Sequence, residues 1–413
     1  MATTQVRGYS SPTRGPVTAD NLGFNATTAI VEREVGTDIL YLDPSVAVYT
    51  ILSDKAGNEN TDAPRYEWYE KTLRDKTATF NAAGSDIDGS TSNTTLQVNE
   101  SDVIQVGDLV YETANQEIYL VTVRTNATTY TVVRGAAGST AVTTAANADV
   151  LTVIGSAFAE GVDVPLTDEW QEAHKFNFVE IFRRSFGASA TREATNTYFG
   201  RGFRDRLAKE KGIEFAMDIE RAFIAGGRSE VQASGAVTPA VGTGVLRTTG
   251  GFLFYATSNV TDLAGAALSE PTFETALENV FLHTASGDSR TLLAGSAFVT
   301  VLDMLAVDKI RTVNDKSMSY GIAVRQWVTA HGTLNIVKHR ILSDFGTAYA
   351  RGALILDPKK LSMRTLQGRG TKLMKNRQGP GVDGWVDEYI AEIGAQLKNP
   401  EVHGVIKSAA LAS

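Results

Sequence analysis

FNFVEIFRRSFGASA, residues 176–190, alternates in two parities. Phe176, Phe178, Glu180, Phe182 and Arg184 share one, and Asn177, Val179, Ile181 and Arg183 the other. Period 2 with charge set among aromatics describes a half-exposed β-strand. Just beyond it the period changes. In EATNTYFGRGFRDRLAKEKGIEFAMDIERAFIAGG (193–227), Phe199, Phe203, Leu207, Phe215, Ile219 and Phe223 recur at multiples of four, and charges fill the other faces. Gly226 and Gly227 end the run. This is the longest amphipathic helix in the chain, and its stripe predicts packing against a sheet.

Upstream, RYEWYEKTL (65–73) also reads as a strand with Tyr66 and Trp68 on one face. It is the expected partner of 176–190, so the two runs form the legs of a long hairpin. Between them the composition shifts. Residues 83–158 contain no Lys and are rich in Thr, Val and Ala. The short runs DVIQVGDLVYE, EIYLVTVRT, TYTVVRG and DVLTVIG are each bounded by turn residues, as in a small all-β module. Eight acids against Arg124 and Arg134 give this segment −6 of the chain's −8. Such an insert is expected to project outward from its scaffold.

Beyond the helix the pattern reads as α/β. EPTFETALENVFLHTA (270–285) and SAFVTVLDMLAV (296–307) predict helices, the second with Ser296 as N-cap. TLLAG (291–295), TLNIVKHRIL (333–342) and ALILD (353–357) predict strands. WVDEYIAEIGAQLKN (385–399) fits either period. Residues 351–377 carry +7 and residues 383–401 carry −4. A basic run beside an acidic one favours a surface meeting an acidic neighbour over a nucleic-acid track.

The 413 residues, 43% hydrophobic and 21% charged, suit two or three globular domains. Without cysteine there is no disulfide, zinc–thiolate or thiol nucleophile. A net charge of −8 argues against a general nucleic-acid binder. The opening MATTQVRGYSSPTRGP lacks the apolar core of a signal peptide, and no apolar run is long enough to span a bilayer. The expectation is a soluble protein with no membrane association. His174, His283, His331, His339 and His403 form no HExxH or paired arrangement. No Walker loop or nucleophile elbow occurs. DIDGSTSNTTLQ (86–97) departs from a calcium loop at Gln97 and Thr91. No catalytic, cofactor or metal site is therefore assigned, and an enzyme is not expected. Residues 1–30 are polar and read as an extended arm. An arm, a hairpin, a long helix and an outward insert describe a protein built for contacts.

Several stretches carry a resemblance. They are PRYEWYEKTL (64–73), VGDLVYE (106–112), YTVVRGAAGST (130–140) and GSAFAEGVDVP (155–165), then FVEIFRRSFGASATREA (178–194), DIERAFIAGG (218–227) and RGALILDPKKLSMRTLQGRGTKL (351–373). Together they resemble major capsid proteins of tailed bacteriophages with the Hong Kong 97-type fold, in the group with a β-rich insertion in the E-loop. The resemblance implies an α+β fold: N-terminal arm 1–45, E-loop legs 46–82 and 159–192, and insertion domain 83–158. It further implies a P-domain spine helix at 193–227, a mostly A-domain segment 228–350, and C-terminal strands at 351–413. It implies a homo-oligomer of hexamers and pentamers closing an icosahedral or prolate head around dsDNA held without specific recognition. Assembly would occur in the bacterial host cytoplasm. A separate scaffolding protein, a portal and a decoration protein would be its partners. The alternative is another virion protein of the tail or decoration class. Under this reading the mixed aromatic and charged legs meet a neighbouring subunit, and Arg65, Trp68, Arg74, Phe182, Arg183 and Arg184 are the candidate contacts.

Overall fold

The computed structural model describes residues 49–50, 57–83, 85, 87, 91–142, 147–161, 172–195, 203–232, 244–283, 287–305, 310–311 and 325–410. The expected arm 1–45 lies outside them, as do 162–171 of the second leg and 196–202 before the long helix. The chain divides into two compact units, with the cuts after Tyr66 and after Phe176.

In the larger unit, the helix Phe203–Ala225 lies on a five-stranded sheet. The central strand is Gly384–Leu397, so the sequence that fitted both periods is extended. Its neighbours are Glu180–Ser189 and Leu361–Leu366, both antiparallel to it. Asn58–Thr61 adds in parallel beyond Leu361–Leu366, and Lys372–Met374 pairs with the central strand. Phe215, Ile219, Phe223 and Ile224 of the helix bury against Phe182, Ala391, Ile393, Ala395 and Leu397. Phe215 stacks on Tyr389 with centroids 5.7 Å apart. The helix stops at Gly226, where a Cβ would come within 2.5 Å of the Ala222 and Thr249 carbonyls.

The start of the helix is fastened by charge. Arg204 grips Asp387 through Nε (2.7 Å) and Nη2 (2.5 Å), with its guanidinium 4.8 Å above the Trp385 ring. Burial pushes the Asp387 carboxyl up. Arg204 and the Asn376 N–H outweigh it and hold the pKa below the ordinary 3.8. A depressed folded pKa stabilises fully above the unfolded value, and that stability is lost as pH falls through the folded one. Asp387→Asn should therefore cost about 3 kcal/mol at pH 7, and the gap from the parent should close as melts are run below about pH 3.8. A gap that does not change with pH would refute the pairing.

A second, seven-stranded sheet runs Val260–Asp262, Gly404–Lys407, Ala353–Leu356, Ser289–Ala294, Thr333–Lys338, Arg325–Val328, Ile310–Arg311. Its central strands are buried on both faces, which is why ALIL and TLLA read as unbroken apolar runs. Leu293, Leu354 and Val405 join the core of the long helix. Leu292, Ile355 and Ile406 face the helices Glu270–Phe281 and Ser296–Leu305. Ser269, not a residue of the apolar run, caps the first of these by accepting the Thr272 N–H. Ser296 lies within the second helix and meets Ser343 through its hydroxyl at 2.9 Å.

The smaller unit is a β-barrel. Its strands run Thr77–Thr79, Val150–Ser156, Asp108–Glu112, Ile118–Arg124, Thr129–Val133, Thr95–Gln97. A Phe80–Val98 bridge joins the first to the last and closes it. Phe80, Leu96, Val110, Tyr119, Val121, Tyr130, Val132 and Leu151 fill the interior. Full closure removes the exposed edges that a lone insert would otherwise present. The boundary expected at 83 falls inside this barrel, because Thr77–Thr79 is its first strand. Lys71, Arg74 and Lys76 just before that strand blur the composition break.

Candidate assembly surfaces

The two hairpin legs meet, but not as expected. Arg65–Glu70 is bonded to Ala173–Phe178, ahead of most of the 176–190 run. On the first strand the alternation holds: Tyr66 and Trp68 are buried, and Arg65, Glu67 and Tyr69 are exposed. Trp68 is only 8% exposed, and its Nε1 donates to Glu70 at 2.9 Å. His174 Nε2 sits 2.9 Å from Glu67, and its ring lies between those of Tyr69 and Phe176. Lys71 bonds Glu172 at 2.8 Å.

Arg74 turns away from open surface. Its Nη2 donates to Asp108 Oδ2 at 3.1 Å, and the same oxygen accepts the Gln105 N–H at 2.9 Å. It thus ties the strand to the barrel. The large apolar side chains that do face water here are Tyr69, 69% exposed, and Leu73, 94% exposed. The sequence reading missed both. Parity placed Tyr69 opposite Trp68 and could have found it; Leu73 lies beyond the strand, where alternation is silent.

Phe182, Arg183 and Arg184 lie in a different sheet, on Glu180–Ser189. Phe182 is 8% exposed and packs edge-on to Phe223 of its own helix. Arg184 bonds Asp218 (2.8 Å) and Glu214 (3.4 Å) on the same helix. Within the subunit both therefore meet their own helix, because the even parity of this strand faces it. Aromatic and basic residues in alternation cannot reveal whose acids answer them. Arg183 faces the other way, with Nε 2.5 Å from Glu388.

On that outer face the acidic and basic runs find each other. Glu388 and Glu392 of the central strand are nearly buried, beneath Arg183 and Arg377 for the first and Arg369 for the second. Arg364 pairs with Glu59 and donates to Gln396. Much of the acidic neighbour expected for residues 351–377 is thus the adjacent strand of the same chain.

Two histidines are interior. Burial pulls His403 down to about 4, so it is neutral at physiological pH, and its Nδ1 accepts the Asp357 N–H. His339 Nε2 bonds Glu220 at 2.6 Å, and that carboxylate also accepts the Tyr49 and Thr50 N–H groups. Among the described residues no cluster of three His, Asp or Glu side chains could hold a metal, and no helix is long and apolar enough to cross a membrane.

The profile of the SU10 major capsid protein family matches residues 18–410. The chain belongs to that family. It is a structural protein of the phage virion, the major capsid protein, and not a tail or decoration component. The major capsid protein of Pseudomonas phage PaMx41 is 23% identical over 414 residues, covering 94% of each chain. Among solved structures, the capsid of a native GTA particle is 11% identical with a TM-score of 0.47, covering 94% of this chain and 100% of that one. A Gordonia phage Cozz chain is 10% identical with a TM-score of 0.48, covering 98% of each. The fold of this capsid protein is α+β: a long helix on a sheet, a second sheet carrying helices, and a hairpin bearing a barrel.

Proposed function

We propose that this capsid protein forms hexamers and pentamers that close an icosahedral or prolate head around dsDNA. Assembly proceeds in the bacterial host cytoplasm, with a separate scaffolding protein, a portal and a decoration protein as partners. The hairpin makes the principal reach to a neighbouring subunit, the barrel lies on the outer surface of the head, and Arg65, Trp68 and Arg183 belong to or border subunit contacts. The observation that carries the reading is the hairpin's exposed pair, Tyr69 and Leu73. Apolar side chains this open favour cover by another chain.

Charge reversal at Arg184 is a poor test, since it would set a carboxylate against Asp218 and Glu214 of the same chain. Tyr69→Glu with Leu73→Asp is cleaner, because neither side chain belongs to the buried core. The double variant should melt within about 2 °C of the parent, as expected for exposed positions. Negative-stain microscopy should show shells, sheets or capsomers for the parent and only free subunits for the variant. Particles at parental yield would remove the hairpin from the contact. A small defined oligomer from the parent would remove the shell reading.

A further inference from the structure

The chain leaves the larger unit at Tyr66 and returns to it at Asn177. These two residues, far apart in sequence, converge on one backbone atom. Tyr66 Oη donates to the Ala395 carbonyl at 2.5 Å, and Asn177 Nδ2 donates to the same oxygen at 2.6 Å. A carbonyl has two lone pairs, so these two donors saturate it.

The surroundings are equally committed. The Ala395 N–H donates to Thr249 Oγ1 at 3.1 Å, and Asn177 Nδ2 lies 3.2 Å from that hydroxyl. Asn177 Nδ2 also donates to the Gly250 carbonyl, and its Oδ1 accepts the Gly250 and Phe178 N–H groups at 2.8 Å. Beside them the Val179 N–H donates to the Pro64 carbonyl at 2.8 Å. Asn177 and Thr249 are fully buried and Tyr66 is 5% exposed. Gly394 makes room for the arrangement: a Cβ there would stand 2.6 Å from Tyr66 Oη and 2.8 Å from the Phe178 carbonyl. Burial raises the Tyr66 pKa, so the phenol keeps its proton and remains a donor.

We propose that the Ala395 carbonyl is a pin that fixes both strands of the hairpin at their root, with Tyr66, Asn177, Thr249 and Gly394 as its positioning residues. Ala395 lies on the central strand and packs in the core of the long helix. The hairpin therefore starts from the buried core of that unit. This deepens the proposed function, since it rests on the hairpin being the element that reaches a neighbour. A reaching element with a loose root would deliver Tyr69 and Leu73 to many places, whereas a pinned one delivers them to few.

The test uses the full-length subunit and two near-isosteric changes, Tyr66→Phe and Thr249→Val. Each removes one hydroxyl from the pin and leaves the shape of the core. Amide hydrogen exchange of the unassembled subunit should speed up about tenfold in 65–70 and 173–178. Protection of the long helix should stay at parental level. Assembled particles should then vary more in diameter than the parent's. Unchanged exchange in the two root strands overturns the pin, and so does an equal loss of protection across the long helix, which signifies only general destabilisation. Local exchange that rises while particle diameters stay uniform leaves the pin in place and overturns its link to assembly. The Tyr69→Glu, Leu73→Asp variant is the control for the capsid reading. It should lose particles with root exchange unchanged.

Discussion

Phe215→Asp should leave no soluble folded subunit. Phe215 is 4% exposed, stacks on Tyr389 and sits where the long helix meets the central strand. Losing a buried phenylalanine costs about 3–5 kcal/mol through transfer and cavity terms. A carboxylate in its place adds the penalty of a buried polar group without a partner. The only polar atom on the stacked ring, Tyr389 Oη, already donates to the Ala208 carbonyl. A whole domain has only about 5–15 kcal/mol in hand, so the sum approaches the total. Asp218→Ala, three residues on, is the contrast. Asp218 pairs with Arg184 and Arg221 at side chains about two-fifths exposed, where ion pairs are worth about 0–1 kcal/mol. Soluble yield and thermal melting compare the two. A Phe215→Asp subunit that melts with the parent would mean that the buried face of the helix has been misassigned.

The same helix shows what was legible. Spacing by four named Phe215, Ile219 and Phe223, and all three are buried. Glu220 was not legible, since nothing local says that a glutamate on this face will accept the Tyr49 and Thr50 N–H groups and meet His339. Residues 176–190 were read correctly as extended and wrongly as one strand with one partner. Alternation reports which face a side chain takes, not which strand lies alongside. The run divides near Asn177: Ala173–Phe178 pairs with the first leg, and Glu180–Ser189 pairs with Gly384–Leu397. A polar residue between two phenylalanines was the available signal.

Gly384–Leu397 was ambiguous for a related reason. Ile390, Ile393 and Leu397 fit a helical stripe, while Tyr389, Ala391, Ile393, Ala395 and Leu397 fit one face of a strand. Its other face carries Glu388, Glu392 and Gln396, whose carboxylate and amide oxygens accept from or pair with arginines and a serine of neighbouring segments. Those partners come from elsewhere in the chain, and only the assembled sheet reveals that the acids are paired. The candidate contacts meet the same limit of sequence. Residue type does not say where the partner lies: within the subunit Phe182 and Arg184 meet their own helix, and Arg74 meets the barrel.

The barrel gives the second large effect. A fragment of residues 74–158 should fold alone, and one of residues 83–158 should not. The shorter piece loses Thr77–Thr79, which pairs with Val150–Thr152, and the Phe80–Val98 bridge that closes the barrel. It also loses Ala78 and Phe80 from the interior, where they are 3% and 1% exposed. Removing Phe80 alone is worth about 3–5 kcal/mol. A domain of this size holds roughly 4–11 kcal/mol at about 0.05–0.15 kcal/mol per residue. Opening the barrel further exposes strand edges on Val150–Ser156 and Thr95–Gln97, which invites association between fragments. The longer piece keeps Arg74 with Asp108, and also the interior contacts of Glu117 with Arg134 and of Glu112 with Tyr119. It should give dispersed amide resonances and one cooperative urea transition, while the shorter should give collapsed resonances or aggregate. If residues 83–158 unfold as cooperatively as 74–158, the first strand is dispensable and the composition break at 83 is the true boundary. If neither folds, the barrel depends on the hairpin that carries it.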